Sequence, residues 1–382
     1  IRAVTGYAAF AMPYWDWTAN RTPPQAFSDP TYKGRPNPLY EAGRNNSLSL
    51  PDNIVGPAVM QKIFGETNYE LFGTSRPQGQ NSLAQSWITT RTGIQGTLEA
   101  TPHNNVHMML GGWMPSARSP MDPIFQMHHG NIDHIWWLWN GMGRQNTSDP
   151  LWRDMVFQDN YLAPDGSWYS ASPAAVQNIA NLGYSYGPSP LKAASSRLQV
   201  ADLRLQAVFE RGSASAATDL GVRALGARAM TGGGDFEFAV PTGSPTLKQT
   251  FSALGGAERP TAAQALLGSR VVAFIRGLTP PSDDVQVKVF VDSVGGPEQK
   301  DLGDAGYVTT IGFFGAGAHA GHDGAGGVAV SSDITQALRD LEGAGLSTGS
   351  DEIRLRLEPV DSKTGAPVPQ AAAHATVEIV IV

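Results

Sequence analysis

"TPHNNVHMML", residues 101–110, sets two histidines four positions apart in a run otherwise dominated by amides and apolar side chains. On a helix that spacing stacks His103 and His107 on one face, where both rings can point at one ion. The same spacing also suits two histidines packed in a core or solvated on a surface. Two imidazoles rarely hold a catalytic metal, so the question passes to the next apolar run, "DPIFQMHHGNIDHIWWLWNGM" (122–142). Asp122 and Pro123 suit a helix cap and first turn, and this run predicts a helix. It offers His128 and His129. Successive helical positions point about 100° apart, so only one of the two should turn toward His103 and His107. Three neutral imidazoles without a thiolate suit copper, zinc or iron. The glutamate of an HExxH pair is missing between His103 and His107, which leaves a zinc protease without its base.

Moving outward, the texture of the chain changes once. Residues 1–187 are rich in Trp, Asn, Pro and Met and read as long loops around a few helices. "GPSPLKAASS" (187–196) has the Pro, Ser and Gly content of a linker. Beyond it, "RVVAFIRGL" (270–278), "VQVKVFVDS" (285–293), "EIRLRLEPV" (352–360) and "ATVEIVIV" (375–382) alternate apolar and polar residues. Breaks such as "TPPSDD", "SVGG" and "KTGAP" mark turns, so these runs predict strands. "SSDITQALRDLEGAG" (331–345) predicts one helix among them, and "FFGAGAHAGHDGAGG" (313–327) a loop. The expected architecture is a mainly α catalytic region (1–187), a linker (188–200) and a β-rich sandwich or barrel domain (201–382).

The 382 residues exceed the usual growth of one core, which agrees with two domains. A net charge of −7 without long Lys/Arg runs argues against nucleic acid as a partner. No stretch approaches 18 consecutive apolar residues, so no membrane span is expected. With no cysteine, disulfides, thiolate metal sites and a cysteine nucleophile are excluded, but the compartment stays open. "IRAVTG" reads as the last turn of a helix closing at Gly6, which predicts that Ile1 is a cut point.

"TPHNNVHMMLGGWM" followed by "SPMDPIFQMHHGNIDHIWWLW" resembles the second copper-binding half of the tyrosinase and polyphenol oxidase family. "FAMPYWDW" (10–17) is similar to the segment after that family's first copper-binding half, and "LGYSYG" (182–187) to the tyrosine motif closing the catalytic domain of plant-type members. The resemblance implies half of a helical-bundle dicopper core, then a carboxy-terminal domain that covers the active site in latent forms. It assigns His103, His107 and His129 to one copper, with His128 and Asp133 in supporting places. It makes Glu99 and Asn104 the pair that orients a water able to deprotonate an incoming phenol. Such a proton, with a pKa of about 10, must leave before the phenol coordinates well. It makes Phe125 an aromatic gate and Met108 part of the pocket wall. Gln126 and His134 depart from the pattern, though neither is an implied ligand.

The implied activity is oxidation by dioxygen, with monophenols hydroxylated to o-diphenols and these oxidised to o-quinones. A catechol or o-aminophenol oxidase without hydroxylase activity, and a haemocyanin-like oxygen carrier, are the alternatives. One Cu(I) gives one electron, so a second copper with three more histidines is required. These should come from a segment upstream of "MPYWDW" or from a partner chain, because His319, His322 and His374 all fall in the β-rich part.

Overall fold

The computed structural model describes residues 1–77, 93–187, 205, 208–209, 223–229, 236–241, 270–282, 284–293, 303–314, 327–346 and 352–382. The predicted linker 188–200, and with it His319 and His322, lies outside them.

Two helices carry the histidines. Asn104–Leu110 follows directly on a wider turn, Glu99–His103, and the long helix Ile124–Gly141 follows after a loop. Asp122 starts the long helix by accepting from the Ile124 N–H at 3.0 Å. The same carboxylate takes a two-pronged ion pair from Arg44, at 2.9 and 2.7 Å, with both side chains sealed from water. Apolar faces of these helices pack with Trp15, Trp17, Phe27, Ile54, Ile63 and Phe72 into one core. Trp139 stacks on Phe72 at 4.4 Å and donates its indole N–H to the Glu66 carbonyl at 2.7 Å.

The four predicted strands form as Val271–Leu278, Val285–Asp292, Glu352–Asp361 and Thr376–Ile381. The predicted helix forms as Thr335–Gly343, where Asp333 accepts from the Thr335 N–H at 2.8 Å. A four-stranded antiparallel sheet runs in the order Tyr307–Gly312, Val285–Asp292, Glu352–Asp361, Phe236–Pro241. A six-stranded sheet runs Thr74–Pro77, Gly93–Gln95, Val328–Asp333, Val271–Leu278, Thr376–Ile381, Arg223–Ala229. Val285, Val287, Val289 and Val291 from the first sheet share one core with Ala273, Ile275, Val377 and Ile379 from the second. Alternation puts the apolar set of each strand on the inner face, which is why the two sheets bury one another. Among the described residues the sheets are open and no closed barrel forms.

The helical part and the sheets are tied together in three places. Gly93–Gln95, from the first half, pairs in parallel with Val328–Asp333. Lys62 donates to the Val308 carbonyl at 2.9 Å and to Ser332 at 3.0 Å, while Glu66 and Asp333 both hold Arg270. The Asn104–Leu110 helix lies against the four-stranded sheet. Asn105 donates to the Thr310 carbonyl at 2.9 Å and accepts from Gln286 at 2.6 Å. Gly312 must be glycine for this approach, since a Cβ there would stand 2.9 Å from the Asn105 nitrogen. No helix among the described residues is long and apolar enough to cross a membrane.

Candidate metal centre

His103, His107, His128 and His129 come together, each with one ring nitrogen within 4.8 Å of those of the other three. The first three are buried and His129 is partly open. His129 Nε2 stands 3.4 Å from His103 Nε2 and 3.1 Å from His107 Nε2. Imidazole nitrogens about 2.0–2.1 Å from one tetrahedral ion such as zinc stand about 3.3–3.4 Å apart, so this spacing fits a shared first-row ion.

The opposite edges of two rings are occupied. His107 Nδ1 donates to the Met114 carbonyl at 2.8 Å. His103 Nδ1 faces Asn104 Oδ1 at 3.1 Å and Glu99 Oε2 at 3.3 Å. With their protons on Nδ1, both rings present an Nε2 lone pair to the cluster, as a metal ligand must. Burial holds His107 well below the ordinary histidine range, helped by the charges of His103 and His129. Burial, with the His103 charge, brings His129 down to about 3. His103 lies above its ordinary value: burial pulls it down, but the Glu99 charge and the hydrogen bonds to Glu99 and Asn104 outweigh that. Burial lifts Glu99 and the His103 charge lowers it, with a net fall. His107 and His129 are therefore neutral at pH 7, and neutral imidazole is the form that binds metal.

The other predicted residues fall around this cluster. Phe125 stacks on His129 at 4.0 Å and meets His107 edge-on at 5.8 Å. Asn104 is fixed by donating to Gln95 and to the Gly312 carbonyl, both at 3.2 Å. Met108 is buried, and its sulfur accepts from the Phe313 N–H at 3.1 Å. Asp133 accepts from Tyr184 at 2.8 Å and from Tyr186 at 2.5 Å, both tyrosines of the "LGYSYG" stretch. His134 lies among Tyr14, Trp137 and Tyr186, where burial lowers its pKa. Three contacts have no counterpart in the sequence reading. Trp17 donates to His128 Nδ1 at 3.2 Å, the Met114 carbonyl fixes His107, and Phe314 lies 4.2 Å from the His107 ring. Only the two phenylalanines at the head of a Gly/Ala-rich loop gave any signal for Phe314.

A buried cluster of imidazoles with converging lone pairs and no sulfur defines a metal-binding protein with a histidine-only donor set. Residues 50–142 match the common central domain of tyrosinase. The chain is 26% identical over 191 residues to a tyrosinase of Streptomyces lincolnensis, covering 44% of this chain and 67% of that one. It is 29% identical over 179 residues to (+)-larreatricin hydroxylase of Larrea tridentata, covering 40% of this chain and 30% of that one. The fold matches that of a latent aurone synthase (a polyphenol oxidase) with a TM-score of 0.62 at 16% identity, over 100% of this chain and 72% of that chain. It matches latent apple tyrosinase with a TM-score of 0.58 at 19% identity, over 98% and 77%. Residues 50–142 thus carry the central domain common to tyrosinases, and the chain is similar to the tyrosinase and polyphenol oxidase family of type-3 copper proteins. That family uses a dicopper centre, and the three or four imidazoles here fit one copper of such a pair. The chain spans 54% of a second Streptomyces tyrosinase, that of Streptomyces glaucescens, and under a third of the Larrea enzyme.

Proposed function

We propose that this chain is the second copper-binding half of a phenol oxidase that hydroxylates monophenols and oxidises o-diphenols to o-quinones with dioxygen. His103, His107 and His129 are the ligands of one copper, and a first half carrying three more histidines completes the pair. The observation that carries this reading is the approach of two Nε2 lone pairs, fixed from behind, to within 3.4 Å of His129 Nε2. Copper, when bound, supplies the electrons that reduce dioxygen. Glu99 is partly open to solvent and shares His103 Nδ1 with Asn104, a placement from which the two can hold a water that takes the phenol's proton. One relative is named as a hydroxylase, which supports the monophenol step. Phe125 and, once uncovered, Met108 form the walls against which a substrate ring rests.

The β-rich part serves as a shield. Support comes from Phe314, which lies 4.2 Å from the His107 ring and 6.0 Å from that of His103. Two matched structures are of latent forms. Burial at this spot also suits an oxygen carrier, which would bind dioxygen reversibly and make no quinone. The test uses the protein with its first half present. Glu99→Gln and Asn104→Ala should lower monophenol turnover more than catechol turnover, and Phe314→Ala should raise catechol turnover at unchanged copper content. Equal losses on both substrates would leave a catechol oxidase.

A further inference from the structure

His128 and His129 are neighbours on one helix, and both reach the cluster. Their surroundings differ in one respect. The groups behind His103 and His107 are oxygens of Glu99, Asn104 and the Met114 carbonyl, all of which accept. The group behind His128 is the indole N–H of Trp17, 3.2 Å from His128 Nδ1, and an indole N–H can only donate. A neutral His128 that accepts at Nδ1 carries its proton on Nε2. That Nε2 is buried, and the His103 backbone is the acceptor that the ring has on the side away from Trp17. His128 stacks on His103 at 5.4 Å and meets His107 edge-on at 4.8 Å, so it stands among the ligands with a proton where they have a lone pair.

We infer that Trp17 is the positioning residue that decides between the adjacent histidines, by fixing His128 in the Nε2–H form and leaving His129 as the copper ligand. The inference rests on the copper reading given above. Trp17 itself is sealed in the helical core, which holds its N–H in place. The arrangement turns an ambiguous HH pair into a single ligand without any contact to the metal.

The first test needs no copper. Long-range proton–nitrogen correlation spectra of the metal-free full chain, labelled in histidine, report each ring's tautomer. His128, assigned by its loss in His128→Gln, should be in the Nε2–H form, with His103 and His107 in the Nδ1–H form. An Nδ1–H form for His128 overturns the inference. The second test adds copper(II). His129→Ala should weaken binding by more than about 100-fold, and Trp17→Phe in that background should recover about tenfold, the scale of supporting-partner effects. The recovered copper should show coupling to a third imidazole in pulsed electron paramagnetic resonance. A folded double variant with no recovery also overturns it. A native chain that takes up no copper removes the oxidase reading, whereas normal uptake with an Nδ1–H His128 removes the Trp17 assignment alone.

Discussion

Two clusters of buried polar groups lie in this molecule, and they are built on opposite plans. Around Arg270, Glu66 and Asp333 supply two carboxylates, and Thr67 accepts from the same guanidinium at 3.1 Å. Lys62 nearby has two oxygen partners of its own. Every charge there meets an opposite charge or an acceptor. Around His129 the nitrogens face one another, and at most one proton can sit between His129 Nε2 and its two neighbours. Buried polar groups are ordinarily satisfied, so the first cluster completes itself and the second awaits something. The first is cement between the helical part and the sheets. The second has the arrangement that a metal ion would complete.

That contrast predicts opposite responses to substitution. Replacing His103, His107 or His129 by alanine should lower copper affinity by more than about 100-fold, beyond the loss of any supporting partner. Competition against a chelator on the isolated chain measures it. Without metal their melting curves should fall less than that of Arg270→Met, His107→Ala most of the three because it strands the Met114 carbonyl, and a copper affinity unchanged by all three would break the contrast. Arg270→Met should do the reverse. It leaves the buried Glu66 and the partly buried Asp333 without their shared guanidinium, a change that costs about 3–5 kcal/mol of stability in denaturant titrations. Copper affinity per folded molecule should be unaltered.

The legibility of these two clusters in the sequence was just as unequal. HxxxH and the HH pair are short-range patterns whose geometry a helix dictates, and the resemblance supplied the choice of His129 over His128. The long strands were equally plain, since "VQVKVFVDS" forms Val285–Asp292 with its valines inward. Alternation predicts that the other residues of that strand meet solvent, yet Gln286 is buried because the Asn104–Leu110 helix covers it. The short strands Thr74–Pro77 and Gly93–Gln95 have no pattern of their own and form because a sheet edge from the other half is there to pair with. Met108 meets Phe313 from 205 positions away, and Arg270 finds Glu66 across 204. Contacts of that kind follow from how the two parts dock, and no local spacing encodes them.

A pH titration sharpens the comparison from the cement side. Burial pushes the Asp333 carboxyl up, but its pairing with Arg270 and the hydrogen bonds from Thr335 hold it below the ordinary carboxylate range. A carboxylate depressed on folding lends stability that is full above its unfolded value and disappears as pH falls through the folded one. Stability should therefore decline on acidification, and Asp333→Asn should flatten that part of the profile in urea titrations from neutral pH downward. Glu66 acts against this trend, because burial leaves its carboxyl raised despite Arg270. Glu66→Gln should make the acid-side decline steeper, and a profile indifferent to both substitutions would deny this cluster its role.

The smallest effect belongs to Asp133, which lies one turn beyond His129 and between the two plans. If its carboxylate orients a ligand, loss of its partners should reach the metal. If it ties the helix to the tyrosine stretch, only stability should change. Its Oδ2 accepts from both Tyr184 and Tyr186, and the Tyr186 hydroxyl also lies 3.1 Å from the Gly130 carbonyl, to which it donates. Tyr186→Phe removes that hydroxyl while keeping the ring against Tyr14 and Trp137. Tyr184 remains bonded to Oδ2, so the expected cost is about 1.5–3 kcal/mol, the range for a hydrogen bond to a charged group. With the fold tie intact in outline, copper affinity should stay within about twofold, well short of the tenfold that a supporting partner of a ligand commands. A tenfold loss of copper with unchanged melting would move Asp133 into the metal's own circle and extend the ligand plan a full turn down the helix.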